Sequence, residues 1–196
     1  MRIFIHLFFV MTLLPLHAHA EINTAILAGG CFWCVQHDME QVKGVVRVEA
    51  GYAGGDRPSP TYENYHTLDA TYKTPHLEVA KLHYDRTVID FETLVQRFLR
   101  TIDPTDGGGQ FCDRGPAYRP AIFYASNEEK QIAEKQIAAA EAVIEKPLHV
   151  ELLPVSEFWP AEEYHQDYAK KNPLKYRYYR FGCGRDARVE ELWGTK

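Results

Sequence analysis

The sequence is sparing in the residues that mark out several large classes of protein. Four cysteines stand in 196 residues. That is too few for the dense disulfide framework of a small secreted domain. Only Cys31 and Cys34 are spaced as a metal-ligand pair; Cys112 and Cys183 stand alone, so a four-thiolate zinc site lacks its second half. There is no basic excess: 22 Lys and Arg face 27 Asp and Glu, for a net charge of -5. That balance gives no support for a general nucleic-acid or anionic-membrane partner. No tandem repeat and no low-complexity linker divides the chain. Gly29-Gly30 lacks the glycine spacing and the following basic residue of a phosphate-binding loop. The one long apolar run, Ile3 to Leu16, is interrupted by His6 and falls short of the roughly 20 residues of a membrane span. With Arg2 before it and Ala18-His19-Ala20 after it, the run reads as a secretory leader. The expectation is a leader over 1–20 and one domain over 21–196, periplasmic or secreted, without stable membrane insertion and monomeric.

What is present gathers around Gly29-Gly30-Cys31-Phe32-Trp33-Cys34. An apolar run, Ala25 to Ala28, leads into two glycines that permit a tight turn. A helix over about residues 31–42 follows. Cys31 would then stand at a helix N-terminus, where free amide hydrogens and the helix dipole favour a thiolate. A cysteine at its ordinary pKa of about 8.5 is only a few per cent ionised at neutral pH, so such a shift would make Cys31 a nucleophile. The plain alternative is a buried structural cysteine or one half of a plain disulfide.

Further along, residues 24–28, 45–52, about 76–84, 121–124 and 150–153 read as strands, and 91–99 and 127–144 as helices. Pro160 would open a short helix through Tyr168. Residues 56–75 and 103–118 read as irregular loops, which often carry function. The alternation implies an α/β domain with a mixed sheet.

The ordered blocks Gly30-Cys31-Phe32-Trp33, Gly51-Tyr52-Ala53-Gly54-Gly55, Pro60-Thr61-Tyr62 and His76-Leu77-Glu78 resemble the peptide-methionine sulfoxide reductase A family. So do Asp103-Pro104-Thr105, Asp113-Arg114-Gly115, Tyr118-Arg119 and Tyr164-His165-Gln166-Asp167-Tyr168. The resemblance spans nearly all of 21–196. It implies a two-layer α/β sandwich with a mixed sheet and a ferredoxin-like core. It implies reduction of the S epimer of methionine sulfoxide, free or in proteins, with no metal and no bound cofactor. By the same resemblance Cys31 attacks the sulfoxide sulfur and Glu78 is the acid at its oxygen. Tyr62 and Tyr118 orient that oxygen, Asp113 belongs to the polar network, and Phe32 and Trp33 wall in the substrate methyl group. The sequence departs from the family's common pattern at Pro75, Leu77 and Pro120, where local backbone or substrate fit should change.

The chemistry is coherent on its own terms. A sulfoxide sulfur is electrophilic, but its oxygen leaves only when protonated, so a thiolate and a neutral carboxylic acid must act on adjacent atoms. Attack leaves a sulfenic acid on Cys31, which a second thiol converts to a disulfide. Cys183, between Gly182 and Gly184, is the preferred resolving thiol; Cys34, one helical turn from Cys31, is the alternative, and Cys112 or direct external reduction the remainder. A thioredoxin-like external dithiol outside the cytosol would close the cycle, and oxidised exported proteins would be the substrates. Two rival readings remain at this stage: a thioredoxin-like disulfide oxidoreductase built on Cys31-x-x-Cys34, and a non-catalytic binding protein stabilised by disulfides.

Overall fold

The computed structural model describes residues 20–194. The leader expected over 1–20 lies, but for Ala20, outside the described residues. Among them no helix is long and apolar enough to cross a membrane. In chain order the elements are β1 (Ile22–Ala28), α1 (Phe32–Met39), β2 (Val45–Ala53), β3 (Leu77–Asp85), α2 (Phe91–Leu99), β4 (Gly109–Gln110), β5 (Asp113–Arg114), β6 (Ala121–Tyr124), α3 (Asn127–Ile144), β7 (Glu151–Pro154), β8 (Trp159–Pro160), α4 (Tyr168–Lys171), α5 (Pro173–Gly182) and α6 (Arg185–Trp193).

Six strands form one sheet in the order β7-β6-β1-β3-β2-β8. β6 and β7 run parallel and the other pairs antiparallel, so the sheet is mixed, as the sequence implies. The four central strands with α1 and α2 are a βαββαβ unit in the order β6-β1-β3-β2, the arrangement of a ferredoxin-like core. Period-two alternation divides each central strand between two faces. Ala25 and Leu27 of β1 and Ala80, Leu82 and Tyr84 of β3 pack beneath Val35 and Met39 of α1, Leu94, Val95 and Phe98 of α2 and Ala133 and Ala140 of α3. Ile26, Ala28, Leu77 and Val79 point to the other face, among Ala121, Phe123 and Phe158. Helices α1, α2 and α3 thus form one layer over one face.

Local chemistry explains the clearer helices. Asp90 caps α2 by accepting from the Thr93 N–H at 2.7 Å, and Ser126 caps α3 by accepting from the Glu129 N–H at 3.1 Å. The helix expected from Pro160 is absent. Trp159 and Pro160 pair with Tyr52 and Gly51 as an edge strand, a position proline tolerates. Asp167, in the left-handed region at φ 53°, then separates the turns before it from α4. The loop at 103–118 is more regular than its glycines suggest, with β4 and β5 paired and a single 3-10 turn at Pro116–Tyr118.

Candidate active site

The turn between β1 and α1 is fixed from both sides. Gly30 has φ +80°, and a Cβ there would meet Cβ of Gln110 at 2.5 Å. Only glycine fits. The buried Gln110 amide in turn accepts from the Asp103 N–H at 2.9 Å and donates to the Asp103 carbonyl at 2.7 Å, which holds the 103–110 loop against the turn. Cys31 is the residue that caps α1. Its carbonyl accepts from the N–H groups of Cys34 at 3.0 Å and Val35 at 3.3 Å.

Glu78 faces this helix start because it shares a face of β3 with Ala80, Leu82 and Tyr84, and it is buried. Its Oε2 accepts from the Phe32 N–H at 3.0 Å. Its Oε1 is bonded to the Tyr65 hydroxyl at 2.9 Å, and that hydroxyl reaches the Tyr118 hydroxyl at 3.1 Å. Burial pushes the Glu78 carboxyl up to about 8, against the pull of its two hydrogen bonds. The side chain therefore carries a proton at neutral pH, as an acid at this position must.

Around it stands an aromatic wall. Phe32 packs against Tyr52 at 5.9 Å and His165 at 4.9 Å between ring centroids. Trp33 stacks on Tyr168 at 3.7 Å and donates its indole N–H to Nδ1 of His165 at 3.0 Å. Tyr62 is partly exposed, with its ring beside Tyr65 and 4.4 Å from that of His165. Glu162 anchors this loop by accepting from the Tyr62 N–H at 2.8 Å and the Tyr52 hydroxyl at 2.9 Å. Asp113 accepts from the Tyr179 hydroxyl, and Tyr179 packs edge-on against Trp33, with ring centroids 5.8 Å apart.

The four cysteines divide into two pairs. Cys112 and Cys183 form a disulfide, with Cα atoms 4.8 Å apart. Cys31 and Cys34 are free and buried, one helical turn apart. The sequence placed Cys183 first as partner to Cys31; in this structure its partner is Cys112. A thiolate favoured at Cys31 by the helix start is not what the buried site gives. Burial above all pushes the Cys31 thiol up. The Cys34 thiol is drawn down to about 7, first by the neighbouring Cys31 thiol and then by the Arg185 guanidinium. Desolvation outweighs the helix dipole at Cys31, and the pair's negative charge rests on Cys34.

Three participants went unread in the sequence. Tyr65 sits in the 56–75 loop, three residues after Tyr62, in a turn closed by its N–H bonding the Thr61 carbonyl at 2.8 Å. Tyr179 hid among the aromatics of α5. Arg185, fully buried, bonds the Gly29 carbonyl at 3.2 Å, approaches Asp38 at 3.4 Å and lies 4.6 Å over the Phe111 ring. His165 and Tyr168 have a clear place here as supports of Trp33.

Against known proteins, the profile of the peptide methionine sulfoxide reductase family matches residues 23–196. This chain belongs to that family. A peptide methionine sulfoxide reductase from Caulobacter vibrioides, MsrA 2, is 48% identical over 92% of this chain and 90% of its own length. The MsrA 2 of Rhizobium meliloti is 46% identical over 94% of this chain and 89% of its own length. Among solved structures, reduced Mxr1 of Saccharomyces cerevisiae superposes with a TM-score of 0.70 at 30% identity, covering 78% of this chain and 86% of that one. Mxr1 has also been crystallised in complex with Trx2; that likeness, at 23% identity, shows the fold alone. The chain is an oxidoreductase that reduces the S epimer of methionine sulfoxide to methionine.

Proposed function

We propose that Cys31 takes the sulfoxide oxygen while Glu78 supplies the proton to it. The observation that carries this is the buried Glu78 bonded to the first amide of the helix that Cys31 caps, with burial pushing its carboxyl up to about 8. The Cys31 proton passes to the neighbouring Cys34 sulfur, the more acidic of the two, as Cys31 attacks the sulfoxide sulfur. Protonation by Glu78 lets the sulfur–oxygen bond break, and the oxygen ends on Cys31 as a sulfenic acid with methionine released. A negative Glu78 would repel the developing Cys31 thiolate, so the productive state pairs a thiolate with a neutral carboxyl. Tyr65 and Tyr118 hold the oxygen end, Tyr62 flanks it, and Phe32 and Trp33 face the methyl group. Asp113 holds Tyr179 against Trp33.

Cys34 is the thiol that resolves the sulfenic acid, releasing water and leaving a Cys31–Cys34 disulfide. What favours it over Cys183 is its place one helical turn from Cys31, free and buried, and the bond that already engages Cys183. A thioredoxin-like dithiol protein returns the electrons. The charged start, apolar run and small-residue site of residues 1–20 support export, so the substrates are oxidised exported proteins and free methionine sulfoxide in the periplasm or outside the cell.

A chiral assay tests this reading. The unaltered chain should consume S sulfoxide, free and peptide-bound, and spare the R epimer. Cys31→Ser should abolish turnover and Glu78→Gln should reduce it about 10²- to 10⁴-fold. Normal turnover in both variants would end the assignment. Amino-terminal sequencing of protein recovered by osmotic shock tests export: a start at Glu21 is expected, and an intact Met1 in the cytosolic fraction opposes it.

A further inference from the structure

Helix α5 grips the active-site helix with one side and offers the other to solvent. On the inner side Tyr176 is buried with its ring 5.0 Å from that of His37, and Arg180 pairs with Asp38 at 2.8 Å. On the outer side Leu174, Tyr178 and Phe181 are 73%, 83% and 87% exposed. Among the described residues these are the three most exposed large apolar side chains. Their spacing of four and then three residues puts them in one stripe. Single exposed apolar residues are ordinary, whereas a contiguous stripe marks a contact surface. The exposed Lys175 and Arg177 border it, and neither has an ion-pair partner among the described residues. The stripe is thus edged with positive charge on a chain whose net charge is -5. It runs out at Phe181, two residues before Cys183. The Cys112–Cys183 disulfide lies at the surface there, with Cys112 exposed and Cys183 half-buried.

We propose that the Leu174, Tyr178 and Phe181 face of α5 is the docking surface for a thioredoxin-type dithiol protein with an acidic rim, and that Cys112–Cys183 is the bond it reduces. The proposal rests on the thiol cycle above. Apolar contact would hold the partner, opposite charge would steer it, and the disulfide gives its thiol something to attack. The partner's thiolate attacks Sγ of the more exposed Cys112, forming a mixed disulfide and releasing the Cys183 thiolate. The partner's second thiol then attacks the mixed disulfide, so the partner leaves oxidised and Cys112 and Cys183 are left as a dithiol. That dithiol exchanges with the Cys31–Cys34 disulfide, restoring two thiols there and re-forming Cys112–Cys183. Two electrons and two protons pass at each stage. Donor atoms of Cys112, Asp113 and Cys183 lie within 4.8 Å of one another, and Asp113 is hydrogen-bonded to Tyr179, whose ring packs edge-on against that of Trp33 beside Cys31 and Cys34. Gly182 and Gly184 flank Cys183 with open space beside each, which leaves room for the exchange.

The test compares two reductants on the full chain: thioredoxin with its reductase and NADPH, and dithiothreitol. The variants are Leu174→Ser/Tyr178→Ser/Phe181→Ser and, separately, Lys175→Glu/Arg177→Glu. Each should raise the KM for thioredoxin about tenfold or more while dithiothreitol-driven turnover stays within about twofold, which also reports correct folding. An unchanged KM for thioredoxin in both variants would overturn the surface. So would sedimentation showing that the stripe instead joins two copies of this chain, with that KM unmoved. A thioredoxin lacking its second cysteine should be trapped on Cys112; trapping on Cys31 or Cys34 would overturn the choice of bond. Absence of dithiothreitol-driven sulfoxide reduction in the unaltered chain would instead strike the parent reading, so the two failures are told apart.

Discussion

The main-chain N–H of Phe32 donates to the Glu78 carboxyl at 3.0 Å, so the helix that carries the thiol and the strand that carries the acid are joined by a single bond. The same bond favours ionised Glu78, yet burial overrides it and leaves the carboxyl at about 8. Proton supply at neutral pH follows from that imbalance.

The rate of the chemical step should trace a narrow bell against pH. The thiol pair loses its proton near 7, where Cys34 titrates, and Glu78 loses its own near 8. Rising pH therefore first supplies thiolate and then removes the acid. Single-turnover methionine release from pH 5.5 to 9.5 checks this. Glu78→Gln should lower the rate and flatten the basic limb; a basic limb that survives in the variant would assign it to another group.

Tyr65→Phe should move that limb. The Tyr65 hydroxyl stabilises the Glu78 carboxylate, so its loss raises the carboxyl further and carries the limb to higher pH, by up to about one unit for a lost hydrogen bond of about 1 kcal/mol. A rate loss of about tenfold should accompany it. A limb displaced to lower pH would contradict the geometry.

Stability should respond to Glu78 in a definite direction. The carboxyl titrates at 4.5 in its ordinary state and at about 8 when folded. Between these values the folded chain holds a proton that the unfolded chain gives up. This group's contribution to stability is thus fully present below 4.5 and declines as pH rises, by at most about 1.4 kcal/mol per pH unit, until it levels off above 8. Glu78→Gln removes that slope. Urea midpoints of both proteins at pH 5 and pH 8 should show the variant gaining on the parent at the higher pH. A constant gap would mean that Glu78 does not hold its proton in the folded chain.

One equivalent of sulfoxide, followed by mapping of linked peptides, should give Cys31 joined to Cys34. In Cys34→Ser the sulfenic acid should persist on Cys31 and its formation should slow, because both the proton acceptor and the resolving thiol are gone. A Cys31–Cys183 link in the unaltered chain would restore Cys183 as the direct resolving thiol.

The frame was legible where burial follows a period. β6 and α3 carry apolar residues at strand and helix spacing, and the bounds read for them, 121–124 and 127–144, are those observed. The meeting of Glu78 with the Cys31 turn is different in kind. The alternation of β3 gives the face that Glu78 shares with Leu82, but only tertiary packing sets α1 above it. Local pattern was silent on Tyr65 because its turn has no period, and on Tyr179 because α5 is aromatic on both faces. Helix propensity misjudged Pro160, whose partners in β2 lie more than a hundred residues away. Reading Cys31 as a helix cap was right as geometry; the thiolate inferred from it failed because sequence carries no measure of desolvation.

Arg185 opens the last helix, yet its guanidinium lies at the floor of the active turn, against the Gly29 carbonyl and Asp38. The carboxyl-terminal segment is therefore a working part of the redox centre rather than an appendage packed behind it. A chain cut short before Gly184 would keep its whole sheet and all four cysteines, and still lose the stronger of the two cations, Arg185 ahead of Arg180, that draw negative charge to the sulfur of Cys34.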